Sequence, residues 1–105
     1  MVPAGVRCLK CGAAGDGAIT RVASICCELL SDERTDTLYR CGRCGSYTVE
    51  AYIDVFCGEG SASLEGPFTG EQGEAWAAII ARCGTPWDKK CHCAAHREYY
   101  GDGLG

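Results

Sequence analysis

Residues that alternate between apolar and polar along the first half of the chain predict β-strands. The clearest alternation runs from Ser46 to Phe56, where one face carries only aromatic and aliphatic residues. The residues of that face are Tyr47, Val49, Ala51, Ile53 and Val55. Ile19 to Leu30 is moderately apolar and partly β-branched, so it predicts another strand. A polar stretch predicts a turn at Ser31 to Thr35, and Asp36 to Arg40 then predicts a third strand.

The second half of the chain changes to a helical period. Glycine, serine and glutamate dominate from Cys57 to Phe68, which predicts a loop. Thr69 followed by Gln72 has the spacing of a capping box. Apolar residues then recur at helical intervals, and they are Ala75, Trp76, Ile79, Ile80 and Cys83. These signals predict a helix over Gly70 to Cys83.

Turn and capping residues predict where this helix ends and where a second one begins. Gly84 suits the position just after a helix, and Pro86 cannot continue one. Asp88 suits the N-cap of a shorter helix that reaches Tyr100. Together the elements predict a single small α+β domain over residues 1–105. Its sheet is expected to have three antiparallel strands, followed by two short C-terminal helices.

Composition adds a reason to expect a bound metal. A chain of 105 residues buries a modest core, and ten of these residues are cysteines. Residues 1–10 lack the apolar run of a signal peptide, and no stretch of about 18 apolar residues could span a membrane. We therefore expect a cytoplasmic protein with reduced thiols. Two C-x-x-C pairs and one C-x-C are typical of metal ligands.

The two C-x-x-C pairs form the first candidate site. Each pair is followed by a glycine, Gly12 or Gly45, which can adopt a positive φ and let the chain curl around the sulfurs. Two such turns facing each other supply the tetrahedron of thiolates that zinc prefers. The predicted ligands are Cys8, Cys11, Cys41 and Cys44.

These paired turns resemble the knuckles of the zinc-ribbon superfamily over residues 7–56. The 29 residues between Cys11 and Cys41 also match the gap typical of rubredoxins, which hold one iron. Rubredoxins usually have a proline inside the second knuckle and aromatics under the metal, whereas this chain has Gly42 and few aromatics before Tyr39. The resemblance therefore implies a zinc ribbon, with a zinc ion as the first choice and iron as the alternative.

A second candidate site lies near the C-terminus, within the helical part predicted over 69–100. Its spacing is C-x7-C-x-C-x2-H, and a helix would place Cys93 and His96 on one face. The turn after the preceding helix could return Cys83 to that face. The predicted ligands of this second zinc ion are Cys83, Cys91, Cys93 and His96. The competing interpretation is that Cys83 is a core residue and His96 a surface residue.

The segment Lys90 to Cys93 also resembles the Cys-His-Cys signature of ferredoxin–thioredoxin reductase catalytic subunits. That resemblance covers about ten residues, lacks the family's Cys-Pro-Cys pairs and implies an iron–sulfur cluster as an alternative cofactor. The remaining cysteines, Cys26, Cys27 and Cys57, are interpreted as small buried apolar residues rather than reactive thiols. Trp76 and Trp87 are interpreted as core and lid residues, and Tyr99, Tyr100 and Asp102 as an exposed contact surface.

The charge distribution bears on whether the chain binds a protein or a nucleic acid. The formal net charge is -4, and the span from Glu50 to Glu74 holds six acidic residues without a lysine or arginine. This acidity suits a basic protein partner and disfavours a nucleic-acid groove, which needs a basic stripe. Closed four-ligand zinc sites are structural. The sequence therefore favours a non-enzymatic adaptor or accessory subunit that binds a protein and no membrane.

Two alternatives stay open. A redox or electron-transfer protein would hold rubredoxin-like iron or an iron–sulfur cluster in these ligands. A nucleic-acid-binding zinc ribbon would contact phosphates through basic residues around the knuckles. Those residues are Arg7, Lys10, Arg40 and Arg43.

Overall fold

The computed structural model describes residues 5–15, 17–29, 32–54, 60–91 and 93–100. These residues form one antiparallel sheet and two helices that pack on one of its faces. The strands are β1 (Ile19–Leu29), β2 (Asp32–Cys41), β3 (Tyr47–Asp54) and β4 (Ser61–Phe68). The helices are α1 (Gly70–Ala81) and α2 (Ala94–Tyr100). The strands lie side by side in chain order, so β1 and β4 form the two edges.

The prediction of three strands was wrong, because the stretch interpreted as a loop contains β4. Its register places Glu65 opposite Val49 and Ser61 opposite Ile53, so its backbone completes the ladder of β3. Most side chains of β4 are exposed, and it therefore shows little of the apolar alternation that reveals a strand in a sequence. Cys57, which was assigned to the same loop, lies outside the described residues.

β2 also begins earlier than expected, since Asp32–Thr35 pair with β1 instead of forming a turn. Charged neighbours stabilise this end of the strand. Arg34 Nε donates to the Asp36 carboxylate at 2.8 Å, and Lys89 forms ion pairs with Glu28 and Glu33. The ladders with β1 and β3 hold this polar stretch in an extended conformation, which apolar periodicity could not reveal.

The capping box predicted for α1 is confirmed. The amide of Gln72 donates to Thr69 Oγ1, and the amide of Thr69 donates to Gln72 Oε1, each at 3.1 Å. The helix ends at Ala81, two residues before the predicted end at Cys83. Its inner face includes Gly73, which lies against the ring of Tyr47 and leaves no space for a larger residue.

α2 begins at Ala94, later than the expected N-cap at Asp88. Asp88 Oδ1 instead accepts from the amide of Lys90 at 3.0 Å and so stabilises a turn. Cys93 stands immediately before α2, and its carbonyl accepts from the amide of Arg97 at 3.1 Å. The short helix leaves residues 82–91 as an irregular segment that can bring cysteines together.

Two buried clusters use opposite faces of β2. Leu38 joins the cluster beneath the helices, whereas Tyr39 joins the cluster beneath the first knuckle, as expected of consecutive strand residues. The cluster under the helices consists of Ile25, Leu38, Tyr47, Val49 and Ile80. The cluster under the knuckle consists of Val6, Cys8, Ala13, Ile19, Tyr39 and Cys41. Two of the candidate ligands, Cys8 and Cys41, therefore belong to the cluster under the knuckle.

Candidate metal centres

The structure brings together the four cysteines of the two C-x-x-C pairs, hereafter the first set. Their sulfur atoms all lie within 4.8 Å of one another. Across the two turns, Cys8 Sγ is 3.5 Å from Cys44 Sγ, and Cys11 Sγ is 3.6 Å from Cys41 Sγ. Cys8 and Cys41 are buried, whereas Cys11 and Cys44 are exposed. The set could therefore hold one ion at the end of the sheet, with two of its sulfurs facing solvent.

Matching hydrogen bonds shape the two turns. The amide of Gly12 donates to the Cys8 carbonyl, and the amide of Gly45 donates to the Cys41 carbonyl, both at 2.9 Å. Both glycines have a positive φ, of 81° and 75°, as expected from the sequence. The glycine in each motif thus allows the curl that turns two sulfurs to the same side.

A hydrogen bond connects the first turn to the sheet, although this turn precedes every strand in the chain. Thr48 Oγ1 donates to the Arg7 carbonyl at 3.0 Å, and Arg7 forms a β-bridge with Ala14. The second turn directly continues β2, whose last residue is Cys41. The sheet therefore fixes both halves of the first set relative to each other.

Hydrogen bonds distribute charge unevenly within the first set. The side chain and amide of Ser46 lower the pKa of Cys44 to about 6. The amide of Ala13 lowers the pKa of Cys11, but hydrogen bonds to neighbouring thiols, together with burial, outweigh it and raise that pKa to about 11. Four adjacent thiols cannot all ionise unless a cation replaces the protons. Burial alone would raise the pKa of Cys41, but hydrogen bonds from the amides of Cys44 and Arg43 outweigh burial and lower that pKa. A bound cation would favour ionisation of the remaining thiols.

The second set consists of Cys83, Cys91, Cys93 and His96, and the structure brings these together too. Cys83 Sγ is central, at 3.8 Å from Cys91 Sγ and 3.4 Å from Cys93 Sγ. His96 Nδ1 lies 3.3 Å from Cys83 Sγ and 3.4 Å from Cys93 Sγ. Cys83 and His96 are buried, and the other two are half-buried. The second set is thus more enclosed than the first.

His96 is held by its other ring nitrogen. Nε2 lies 3.0 Å from the carbonyl oxygen of Cys26, and a carbonyl can only accept, so Nε2 carries the proton. Nδ1 therefore faces the sulfurs of Cys83 and Cys93, where it could bind a metal ion. The amide of the same Cys26 donates to the Pro86 carbonyl at 2.8 Å. Both backbone groups of Cys26 are therefore bound by the segment that carries the second set.

Hydrogen bonding also favours one thiolate in the second set. The amide of His96, and then its side chain, lower the pKa of Cys93 to about 6. Burial is the main cause of the raised pKa of Cys83. As in the first set, a bound cation would provide the compensation that a buried thiolate needs.

Both sets match the size of a single tetrahedral ion. With zinc–sulfur bonds of about 2.3 Å, the sulfurs of a tetrahedron lie about 3.8 Å apart. The sulfur–sulfur distances of 3.4–3.8 Å are close to that edge. The donors also suit zinc, which prefers thiolate and imidazole, although iron shares these ligands. Both sets could thus hold one metal ion each.

The remaining cysteines agree in part with the sequence-based interpretation. Cys27 is buried, and burial is the main cause of its raised pKa, as expected of an inert core thiol. Cys26 is half-buried, and its backbone contact with His96 was not predicted because no local pattern links residues 70 positions apart. No disulfide joins the nine cysteines that the structure describes. His92, the histidine between Cys91 and Cys93, lies outside the described residues.

Several aromatic residues differ from expectation. Trp87 is 72% exposed, so it is not a lid over the core. Tyr99 and Tyr100 are half-buried and pack against the core beneath the helices, so they do not form an exposed surface, and Asp102 lies outside the described residues. Tyr99 donates to the buried carboxylate of Asp36 at 3.0 Å, and Tyr100 donates to the Ile25 carbonyl at 2.9 Å. These phenols anchor α2 on the sheet.

Among the described helices, none is long and apolar enough to cross a membrane. Comparison of the chain with protein-family models, curated proteins and solved structures gave no significant match. The two cysteine turns are compatible with zinc-ribbon-like knuckles, and this compatibility rests on their local geometry alone.

Proposed function

We propose that this protein is a non-enzymatic adaptor or accessory subunit of the cytoplasm, with one structural zinc ion in each ligand set. The observation that carries the proposal is the complete set of four protein donors at both positions. Four protein ligands close a tetrahedral zinc ion and leave no coordination position for water or substrate. Such centres stabilise a fold, so the function is expected to reside in the surface that they support.

A single ion in each set is favoured over an iron–sulfur cluster. The ligand atoms of each set lie within 4.8 Å of one another, whereas a cluster spreads its cysteines over several irons. Exposed acidic residues on β4 and α1 support a protein partner in preference to nucleic acid. They include Glu65, Glu71 and Glu74. A basic partner surface would complement this region.

Elemental analysis and native mass spectrometry of protein purified without oxygen test the proposal. We expect two zinc ions per chain and a colourless solution. Cys8→Ser should lower zinc occupancy of the first set alone, and Cys83→Ser that of the second set alone. Iron with visible absorption would favour the redox alternative, and a metal-free folded protein would refute both.

A further inference from the structure

A groove runs along the outer edge of β1 and includes Cys83 of the second set in its lining. Its volume is about 570 Å³, which lies within the range of about 300–1,000 Å³ for ligand sites. One side is β1 around Val22, another is α1 around Ile80, and the third is the segment with Pro86 and Trp87. We call this cavity the edge groove.

Two apolar residues that line the edge groove are unusually exposed to solvent. Trp87 is 72% exposed and Val22 is 40% exposed, and the only other large apolar residue of comparable exposure in the described chain is Tyr52. Exposed tryptophan is costly in water and is enriched at the centres of protein interfaces. A partner that covers Trp87 and Val22 would therefore gain hydrophobic contact at a ready-made groove.

The second set fixes the position of the segment that carries Trp87. The segment 84–90 connects the ligands Cys83 and Cys91, and Pro86 within it accepts from the amide of Cys26. Both ends of this segment are thus fixed at one centre, and its middle is fixed to β1. Trp87 is consequently held on a rigid support, which lowers the conformational entropy lost when a partner binds.

The positive charge of Arg21 indicates that a partner should carry a carboxylate. Arg21 lines the edge groove, is exposed, and forms no ion pair with any carboxylate among the described residues. An unpaired arginine at the rim of an apolar groove complements a carboxylate next to an apolar side chain. This is notable because the chain as a whole has a net charge of -4.

The backbone of β1 argues for side-chain recognition instead of an added strand. Arg21 pairs with Tyr39 and Ala23 pairs with Leu38, so Val22 is the extra residue of a bulge. Bulges and charged residues protect sheet edges from pairing with another strand. Farther along the same edge, Pro86 and His96 already occupy the backbone groups of Cys26.

We infer that the edge groove binds a segment of a partner protein that carries a large apolar side chain flanked by acidic residues. The apolar side chain lies against Trp87 and Val22, and a flanking carboxylate pairs with Arg21. This inference rests on the proposed function, because it assigns a second contact of the adaptor's partner, separate from the basic surface expected to meet β4 and α1.

Nuclear magnetic resonance of the metal-loaded, ¹⁵N-labelled full chain tests the inference with defined peptides. The probes are acetyl-Gly-Asp-Phe-Asp-Gly-amide, the same peptide with lysine in place of aspartate, and the aspartate peptide with alanine in place of phenylalanine. The acidic phenylalanine peptide should shift the indole signal of Trp87 and leave that of Trp76 in place. The other two peptides should bind about tenfold more weakly.

Variants with matched controls complete the test. Trp87→Ala should abolish binding, whereas Tyr52→Ala, which removes an exposed aromatic residue outside the groove, should preserve it. Arg21→Glu should reverse the preference in favour of the lysine peptide, whereas Arg97→Glu should leave it unchanged. Equal binding of all three peptides, or no shift of Trp87, would overturn the inference.

Metal content measured on the same samples separates the two proposals. Two bound zinc ions with no response at Trp87 would refute the edge groove as a docking site and leave the proposed metal centres intact. A folded protein without metal would refute the proposed function itself.

Discussion

At the scale of single residues, His96 links the second set to the edge of the sheet. Its Nδ1 faces the sulfurs of Cys83 and Cys93, and its Nε2 donates to the carbonyl of Cys26. The ring is completely buried, so neither contact can be replaced by water without rearrangement. Different substitutions can separate the proposed ligation of a metal ion by Nδ1 from the backbone anchoring by Nε2.

His96→Ala should lose the ion of the second set, whereas His96→Cys should keep it because a thiolate replaces the imidazole. His96→Cys still loses the hydrogen bond to Cys26, which should cost about 1 kcal/mol of unfolding free energy. Metal content and chemical denaturation measure the two effects. If both variants retained equal metal, His96 would not be a ligand.

Tyr99 provides a prediction about alkaline pH. Burial, followed by the charge of Asp36, raises its pKa from 10.0, so the folded protein holds the phenol neutral where the unfolded chain ionises. The stabilisation from this neutral phenol is complete below pH 10.0 and is lost as the pH rises above it. Each proton released on unfolding steepens the decline by about 1.4 kcal/mol per pH unit.

Denaturation at pH values on both sides of 10.0 measures this decline. Tyr99→Phe should flatten the dependence of the unfolding free energy on pH, although it lowers stability at every pH by removing a hydrogen bond to Asp36. Tyr52→Phe serves as the control, because Tyr52 is 42% exposed. Equal slopes in the wild type and Tyr99→Phe would contradict the assignment.

At the scale of elements, α1 can lie close to the sheet because Gly73 has no side chain. A Cβ at this position would lie 2.0–2.4 Å from atoms of the Tyr47 ring, so the helix or the ring would have to move. Such overpacking typically costs about 1–3 kcal/mol. It opposes the gain of about 1 kcal/mol that alanine brings to a helix interior.

Gly73→Ala should therefore lower the unfolding free energy despite the better helix propensity of alanine. Gly84→Ala is the matched control, because a Cβ there meets no atom within 4 Å. Thermal and chemical denaturation of both variants provide the comparison. A Gly73→Ala protein more stable than the wild type would show that α1 does not pack so closely.

Elements with a strong local signal could be predicted from the sequence. The Thr69 capping box and the apolar face of β3 both depend on neighbouring residues. The capping box is present, and Tyr47, Val49 and Ala51 of the predicted face are buried, whereas Ile53 is half-buried and Val55 lies outside the described residues. β4 could not be predicted, because an exposed edge strand is stabilised by its backbone ladder with β3. The late start of α2 was missed because Asp88 caps a turn as readily as a helix.

The grouping of each set of side chains could be predicted from spacing, because C-x-x-C turns and a C-x-C near a histidine constrain the sulfurs locally. Their role as ligands stays a prediction. The contacts around the two sets could not be predicted from this spacing. The contact between His96 and Cys26, and the exposure of Trp87, depend on how distant segments pack. The assignment of residues 1–105 to a single domain stays a prediction.

At the scale of the whole molecule, the two sets support different regions. The first joins the N-terminal turn to the end of β2 and β3, whereas the second joins the segment after α1 to the edge strand β1. Loss of one ion should therefore loosen one region more than the other.

Hydrogen exchange can show which region loses protection when one ion is removed. Cys83→Ser should reduce protection in residues 83–91 and at the amide of Cys26, whereas Cys8→Ser should reduce it around the first turn and at Ala18 and Gly42, which are hydrogen-bonded there. Removal of both ions by a chelator should unfold the chain, because the core is small. Full protection after complete metal removal would contradict the structural role of the ions.

X-ray absorption at the zinc edge tests the central claim most directly, on protein purified without oxygen. The two sets together provide seven thiolates and one imidazole. The account predicts two zinc ions per chain, an average shell of about seven sulfurs to one nitrogen, and zinc–sulfur distances of about 2.3 Å. A shell dominated by oxygen and nitrogen, or cysteines joined as disulfides without metal, would contradict it.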